Sequence, residues 1–209
     1  MKENLTQIVC ILDRSGSMSG LVKDTIGGYN TFIENQKQEP GEALVTTILF
    51  DDQYEVLINA ADIKAVQPIT GKDYFARGMT ALYDAVGKTI DDLGHRLAGM
   101  AEEERPSKVI MVIITDGLEN ASKEYSQNRV KEMITHQTEK YSWQFIFMGA
   151  NIDSAKEASS IGINADFSMD YAATGAGTAS VYASADRAVS QMRACGKINN
   201  DWRSQEKLQ

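Results

Sequence analysis

Short apolar runs alternate along the chain with longer segments whose apolar residues recur every three or four positions. The runs predict β-strands and the segments predict amphipathic helices. The predicted strands are residues 6–12, 44–50, 54–58, 109–115, 143–148 and 165–169. The predicted helices are residues 21–38, 80–100, 126–140, 153–160 and 177–194. Strands separated by helices indicate an open, doubly wound α/β sheet with helices on both faces.

One pair of neighbouring strands breaks this alternation. Only Asp51, Asp52 and Gln53 separate the second predicted strand from the third, so this connection predicts a β-hairpin and one antiparallel pair. The fourth strand, residues 109–115, is apolar without interruption, as expected for a parallel strand covered on both sides. In such sheets ligands bind beyond the carboxyl ends of the strands, where the strand order reverses.

The length and composition are those of an ordinary globular domain. The chain has 209 residues, of which 43% are hydrophobic and 24% charged. That is enough for one well-buried core and short for two. No repeat or low-complexity linker divides it, so we predict a single domain over residues 1–197 and a polar C-terminal tail over residues 198–209.

The charge and the cysteine content indicate which classes of binding partner and which cellular compartment to expect. The 29 acidic and 21 basic residues give a net charge of −8, which argues against nucleic acid or an anionic membrane as a partner. Cys10 and Cys195 are too few for a disulfide framework or a zinc ribbon. The first residues lack a signal-peptide pattern, and no apolar stretch approaches the roughly 20 residues that cross a bilayer. We therefore predict a cytoplasmic protein.

Oxygen-bearing side chains follow two of the predicted strands and open one helix. Asp13, Ser15 and Ser17 come directly after the first strand, Asp116 follows the fourth, and Thr80 opens the second helix. If the first and fourth strands are neighbours, these residues meet at one edge of the sheet. Two carboxylates and three hydroxyls form a hard ligand set that suits Mg²⁺, Mn²⁺ or Ca²⁺. The sequence therefore predicts a metal site made of these five residues.

Each element of this set has a plainer interpretation when it is taken alone. Asp13, Ser15 and Ser17 are residue types that favour helix caps and turns, and Thr80 could be a helix N-cap. Asp116 followed by glycine is common in turns. The metal interpretation rests on finding all of them together at the ends of separate elements.

The combination resembles the von Willebrand factor A family. The pattern Asp13-x-Ser15-x-Ser17, the later Thr80 in a Gly-x-Thr turn and Asp116 are similar to that family's metal-ion-dependent adhesion site. The resemblance implies a Rossmann-like, six-stranded sheet of order 3-2-1-4-5-6 with the third strand antiparallel.

The resemblance also implies a role for each residue. Ser15 and Ser17 would bind the metal directly, Thr80 directly or through water, and Asp13 and Asp116 mainly through water. A carboxylate from a partner protein would complete the coordination. The sequences of residues 80–84 and 116–121 resemble motifs that are typical of small intracellular bacterial members of the family. Such members often work beside ring-forming ATPases, metal chelatases or stress-response kinase and phosphatase sets, so the resemblance implies a non-enzymatic adaptor.

A different class, the Mg²⁺-dependent phosphohydrolases of haloacid-dehalogenase type, also places an Asp after the first strand. Asp13 would then be the nucleophile. Those enzymes normally carry a second Asp two residues later as general acid, and this chain has Ser15 there. This enzyme is the alternative to the adaptor.

Residues beside the predicted ligands carry open alternatives. We expect Arg14 to point to solvent, or else to pair with a partner carboxylate or a nearby loop acid. Asp51 and Asp52 are either hairpin residues or a second cation site. Glu119 and Asn120 either support the site or simply form a polar loop. The aromatic residues Tyr74 and Phe75 are candidate partner contacts.

Overall fold

The computed structural model describes residues 1–203. Its strands are β1 (Lys2–Asp13), β2 (Glu42–Phe50), β3 (Tyr54–Asp62), β4 (Pro106–Thr115), β5 (Gln144–Ala150) and β6 (Ser168–Tyr171). They form a six-stranded sheet of order β3-β2-β1-β4-β5-β6. β3 pairs antiparallel with β2, and every other pairing is parallel. The predicted fold class, strand order and antiparallel hairpin are therefore confirmed.

Five α-helices cover the sheet within the described residues. They are α1 (Val22–Gln38), α2 (Leu82–Ala98), α3 (Gln127–Tyr141), α4 (Ser154–Ser160) and α5 (Gly175–Cys195). A short 3-10 helix, Gly16–Leu21, leads from the end of β1 into α1. The last predicted strand lies three residues late, because the Asn164 side chain accepts a hydrogen bond from the Asp166 N–H and folds Ala165–Phe167 into a 3-10 turn.

The apolar strands are buried on both faces, which explains their unbroken hydrophobic pattern. Along β1, Ile8, Cys10 and Leu12 belong to the core between the sheet and helices α1 and α5. Val9 and Ile11 belong to the core on the opposite face, with α2 and α3. Successive strand residues point to opposite faces, so a sheet with two covered faces needs apolar residues at every position.

Helix α5 is fastened to the end of α1. The Arg193 guanidinium donates hydrogen bonds to the carbonyl oxygens of Gln36, Glu39, Pro40 and Gly41, at 2.5 to 3.2 Å. These carbonyls belong to the last turn of α1 and the residues after it, where helices leave acceptors without partners. A buried arginine from α5 therefore caps α1.

The predicted C-terminal tail lies only partly within the described residues. Trp202 is fully buried, and its Nε1 donates a hydrogen bond to the Asp166 carbonyl oxygen at 3.1 Å. Residues 204–209 of the predicted tail lie outside the described residues. Across residues 1–203, none of the helices has the length and apolarity needed to cross a membrane.

The reversal of strand order lies between β1 and β4. The chain leaves β1 toward β2 on one side, whereas β4 continues toward β5 on the other. Leu12 of β1 lies opposite Ile114 of β4, so the residues after these strands emerge side by side. This edge holds the candidate site.

Candidate metal site

Asp13, the last residue of β1, ties the first loop to β4. One carboxylate oxygen accepts a hydrogen bond from the Ser15 N–H at 2.7 Å, and the other accepts one from the Thr115 hydroxyl at 2.6 Å. The Tyr74 hydroxyl donates to the Asp13 carbonyl oxygen at 2.5 Å. The residue is 1% exposed. Its carboxylate is thus held in one orientation from two directions.

A chain of oxygen atoms connects the first loop to the residue after β4. The Ser15 and Ser17 hydroxyl oxygens lie 3.1 Å apart, and the Ser17 hydroxyl donates to the Asp116 carboxylate at 2.5 Å. Ser15 and Asp116 are buried, whereas Ser17 is exposed. Four of the five predicted ligands therefore lie at the ends of β1 and β4, and three of them are linked directly.

Thr80 completes the group from a separate loop. A Cβ atom added to Gly117 would lie 3.6 Å from the Thr80 hydroxyl oxygen and 3.8 Å from that of Ser17. Both hydroxyls therefore face the same small space above Gly117. Thr80 is 3% exposed, so the loop presents this hydroxyl toward the other site residues rather than to open solvent.

Backbone pairing holds the Thr80 loop against the first loop. The Arg77 N–H donates to the Arg14 carbonyl oxygen at 2.8 Å, and the Gly16 N–H donates to the Gly78 carbonyl oxygen at 3.1 Å. Gly78 has φ +66°, and a Cβ there would lie 2.0 Å from the Asp52 carboxylate. Only glycine fits this position without strain, so the turn that presents Thr80 depends on Gly78.

Arg14 does not point to solvent, and that expectation is wrong. Its side chain is fully buried, with Nε 3.0 Å from the Asp51 carboxylate and Nη1 2.6 Å from that of Glu55. Arg77 Nε lies 2.6 Å from the same Asp51 oxygen that Arg14 binds. The alternative in which Arg14 pairs with nearby acids is confirmed.

Asp51 is a hairpin residue that also joins two site loops. Its second carboxylate oxygen accepts a hydrogen bond from the Gln53 N–H at 2.6 Å, as the turn interpretation predicts. Its carbonyl oxygen accepts one from the Ala81 N–H at 2.9 Å. Since Asp51 is fully buried and paired with two arginines, its carboxylate serves as their counter-ion rather than as a second cation site.

Glu119 and Asn120 support the site. Asn120 Oδ1 accepts a hydrogen bond from the Thr80 N–H. The Glu119 carboxylate accepts hydrogen bonds from the N–H groups of Tyr83, Ala121 and Ser122 at 2.7 to 3.0 Å. It therefore links the loop after β4 to the first turn of α2, where a negative charge is favourable.

Burial makes both site carboxylates hard to ionise. It raises the pKa of Asp13 to about 6, and hydrogen bonds from Thr115 and Ser15 only partly oppose that rise. Burial also raises the pKa of Asp116, against the hydrogen bond from Ser17. A cation close to two desolvated carboxylates favours their charged form, so such a site attracts positive charge.

Comparison of the sequence with protein-family models and with curated proteins finds no match. Solved structures do match. Proximal thread matrix protein 1 from the mussel byssus aligns over 87% of this chain with 13% identity and a TM-score of 0.61. Manganese-loaded TRAP protein from Plasmodium vivax aligns over 84% with 17% identity and a TM-score of 0.58. The ArnB paralog VWA2 from Sulfolobus acidocaldarius aligns over 89% with 15% identity and a TM-score of 0.56.

The fold is that of a von Willebrand factor A domain. This chain covers 47% of the mussel protein's chain, 72% of the Plasmodium chain and 45% of the Sulfolobus chain. It thus spans about half the length of two of these structures. At identities of 13 to 17% the likeness establishes the architecture and nothing about the ligand.

The donor set that this fold brings together fits a hard divalent cation. Within residues 1–203 no group of three or more His, Cys, Asp or Glu side chains is placed to hold a metal, so the candidate set relies on three hydroxyls beside its two carboxylates. Such oxygen donors with little negative charge suit a cation that keeps some of its water.

Asp13 does form the turn that its residue type favours, because its carboxylate accepts the Ser15 N–H, but the capping interpretations of Ser15 and Thr80 fit less well. Ser15 stands at the N-cap of the 3-10 helix but makes no side-chain capping hydrogen bond, and the N-cap of α2 is Ala81 rather than Thr80. The hydroxyls of Ser15 and Ser17 instead face other predicted ligands.

Two further residues at the site have roles that the sequence did not indicate. Tyr74 is fully buried, so it cannot contact a partner as expected, and its hydroxyl binds the Asp13 carbonyl instead. Thr115, which holds the Asp13 carboxylate, was not predicted. The available signal was a hydroxyl residue at the end of an otherwise apolar strand, directly before Asp116.

Proposed function

We propose that this chain is a divalent-cation-dependent protein-binding module that coordinates a carboxylate of a partner protein. One observation carries the proposal: five oxygen-bearing side chains from three loops converge at the carboxyl ends of β1 and β4, with hydrogen bonds joining Ser15, Ser17 and Asp116. When bound, the cation supplies a Lewis-acidic centre for a carboxylate oxygen.

The residues of the chain divide the work of holding the cation. Ser15, Ser17 and Thr80 would offer hydroxyl oxygens, with Thr80 acting directly or through water. Both oxygens of Asp13 already accept hydrogen bonds from the protein, so Asp13 would act through water. Asp116 would act mainly through water as well and would supply negative charge.

Magnesium is the proposed physiological cation, with manganese or calcium as substitutes. The proposal rests on the oxygen-only donor set. The TRAP structure is described as manganese-loaded, and one structure of the mussel protein has a zinc-occupied metal-ion-dependent adhesion site motif. That second structure aligns over 86% of this chain with a TM-score of 0.58.

The proposed partner is a protein that presents an Asp or Glu side chain. Its link to an ATPase or stress-response system, and a cytoplasmic location, follow from the sequence and its resemblance and stay predictions. We propose no catalysis. A phosphohydrolase of haloacid-dehalogenase type is not favoured, because Ser15 stands where such an enzyme carries its general acid.

Manganese binding measured by electron paramagnetic resonance tests the proposal. We expect the unaltered chain to bind Mn²⁺ and Asp116→Ala to lose most of that affinity. Ser19→Ala is the matched control, because Ser19 lies exposed in the same 3-10 helix and is not a predicted ligand. Equal affinity in all three proteins would refute the site.

A phosphatase assay distinguishes the proposed binding module from the phosphohydrolase alternative. We expect no Mg²⁺-dependent release of phosphate from para-nitrophenyl phosphate above the level of an Asp13→Asn variant. Release that Asp13→Asn abolishes would favour the haloacid-dehalogenase alternative.

A further inference from the structure

Large apolar side chains are exposed next to the candidate metal site. Among residues 1–203 six large hydrophobic residues are exposed, and three of them lie in the two loops that carry Thr80 and Asp116. These three are Phe75 at 42% exposure, Met79 at 55% and Leu118 at 54%. We call them the apolar rim. Scattered exposed apolar residues are normal, but these three all lie in the loops that present candidate ligands.

Met79 and Leu118 flank the ligands closely. Met79 immediately precedes Thr80, and Leu118 immediately follows Gly117, whose added Cβ would lie 3.6 Å from the Thr80 hydroxyl. Hydrogen bonds between Thr80 and Asn120 hold the two loops together. Met79 and Leu118 are therefore chain neighbours of site residues, on two loops that are hydrogen-bonded to each other.

Two arginine side chains pack against the Phe75 ring. The guanidinium carbons of Arg14 and Arg77 lie 5.8 and 5.4 Å from its ring centroid, within the range of cation–π attraction. Arg14 is buried and Arg77 is partly exposed. Since Asp51 fixes both arginines, the exposed aromatic ring is fixed before any partner arrives, which reduces the entropy lost on binding.

We infer that the partner presents its acidic residue next to large apolar residues, in a peptide segment that places a carboxylate on the cation and apolar side chains on the rim. This inference rests on the proposed function. The rim comes from two loops that flank the ligands, so it suits a protein segment larger than a free carboxylic acid. The positive charge of the cation complements the acid, and the rim complements the apolar residues beside that acid.

A random dodecamer library displayed on phage tests the inference directly. The full chain is immobilised in Mg²⁺, and bound phage are released with EDTA. We expect the released peptides to share an Asp or Glu with Leu, Ile, Met, Phe or Trp within two positions. Released peptides with an acidic residue and no apolar preference would contradict the proposed role of the apolar rim. The proposed function would not be affected by that result.

Binding of the best synthetic peptide to variants gives the second measurement. We expect the Met79→Ser/Leu118→Ser double variant to bind it about tenfold more weakly or worse, as for residues that dominate an interface. Tyr141→Ser is the matched control: Tyr141 is 55% exposed but ends α3, at the opposite edge of the sheet. Equal affinity of the double variant and the unaltered chain would overturn the rim.

Manganese binding by the same proteins distinguishes a failure of the apolar-rim inference from a failure of the proposed function. The double variant should bind Mn²⁺ as the unaltered chain does; if it does not, Phe75→Ser replaces it, since Phe75 lies five positions before Thr80. A chain that binds Mn²⁺ and yields no EDTA-released peptide would overturn both the rim and the proposed carboxylate binding. A chain that binds no Mn²⁺ would refute the metal site itself.

Discussion

Asn120 forms hydrogen bonds with both the N–H and the carbonyl oxygen of Thr80. Its side-chain Oδ1 accepts a hydrogen bond from the Thr80 N–H at 2.9 Å, and its own N–H donates to the Thr80 carbonyl oxygen at 3.0 Å. Thr80 is the only predicted ligand that comes from the loop before α2. The position of its hydroxyl relative to Ser17 therefore depends on this pair.

Replacing Asn120 by Ala should weaken metal binding without unfolding the protein. The backbone bond survives, but the Thr80 N–H loses its acceptor and the loop gains freedom. Residues that orient a ligand typically change metal affinity by about 10- to 100-fold, and we expect the lower end because one of two bonds remains. Titration calorimetry with Mn²⁺ measures the change.

Asn120→Asp is the control for that substitution. It keeps an oxygen acceptor at the same place and adds a negative charge, so its affinity should not fall below that of the unaltered chain. If Asn120→Ala and the unaltered chain bind Mn²⁺ equally, Asn120 does not position the ligand.

Gly117→Ala should remove metal binding while the fold stays intact. The new methyl group would lie at 3.6 and 3.8 Å from the Thr80 and Ser17 hydroxyl oxygens, which are ordinary contacts, so the chain has no clash to relieve. That methyl would nevertheless fill space between two proposed ligands and displace the cation or its water. We expect a melting temperature close to that of the unaltered metal-free chain and a loss of Mn²⁺ affinity of about tenfold or more.

Gly20→Ala provides the comparison for Gly117→Ala. Gly20 lies in the 3-10 helix of the first loop, and a Cβ there would meet nothing within 4 Å. Its Mn²⁺ affinity should be unchanged. A Gly117→Ala protein that binds Mn²⁺ normally would show that the hydroxyls of Thr80 and Ser17 do not share a cation.

The sequence was sufficient to propose the candidate ligands, because each one lies at the end of an element that periodicity alone locates. Asp13 and Asp116 follow apolar runs, and the parallel sheet brings the ends of such runs to one edge. Predicting the strand order required the resemblance to a known family, since local patterns do not specify which strands are neighbours.

The surroundings of the ligands could not be predicted in this way. The pairing of Asp13 with Phe50 in the sheet brings the next residues, Arg14 and Asp51, together as a buried ion pair, and that register exists only in the folded sheet. Taken alone, an arginine between two polar residues is expected in solvent, because a charge is buried only where a partner is supplied. The roles of Tyr74 and Thr115 could not be predicted either, because their hydrogen bonds to Asp13 also exist only in the folded protein.

Metal affinity should fall as the pH falls through about 6. A proton on Asp13, whose pKa is about 6 in the metal-free protein, competes with the cation. Burial also raises the pKa of Asp116, which adds to the effect. Below that range we expect the Mn²⁺ affinity to drop about tenfold per pH unit for each proton that must leave. Titrations between pH 5 and pH 8 in one buffer series measure it.

The stability of the metal-free chain should change with pH in the opposite direction. The folded pKa of Asp13, about 6, lies above the ordinary value of 3.8, so the folded chain holds this proton more tightly than the unfolded chain. The resulting stabilisation is complete below about pH 4 and is lost as the pH rises through about 6. Asp13→Asn cannot titrate, so denaturation of that variant in EDTA should lack this loss. An identical pH profile in both proteins would contradict the assignment to Asp13.

Asp51→Asn should destabilise the protein far more than the loss of its more exposed partner, Arg77. Asp51 and Arg14 are both fully buried, so removing the negative charge leaves the Arg14 guanidinium dependent on Glu55, whose side chain is 47% exposed. Breaking a buried pair from one side costs roughly 3–5 kcal/mol. Arg77→Ala breaks a pair in which the arginine is 39% exposed and screened by solvent, so we expect a much smaller loss. Urea denaturation of the metal-free proteins compares the two free energies of unfolding. Equal losses would mean that Arg14 does not need Asp51, and that the loops carrying Arg14 and Thr80 are joined by their backbone hydrogen bonds instead.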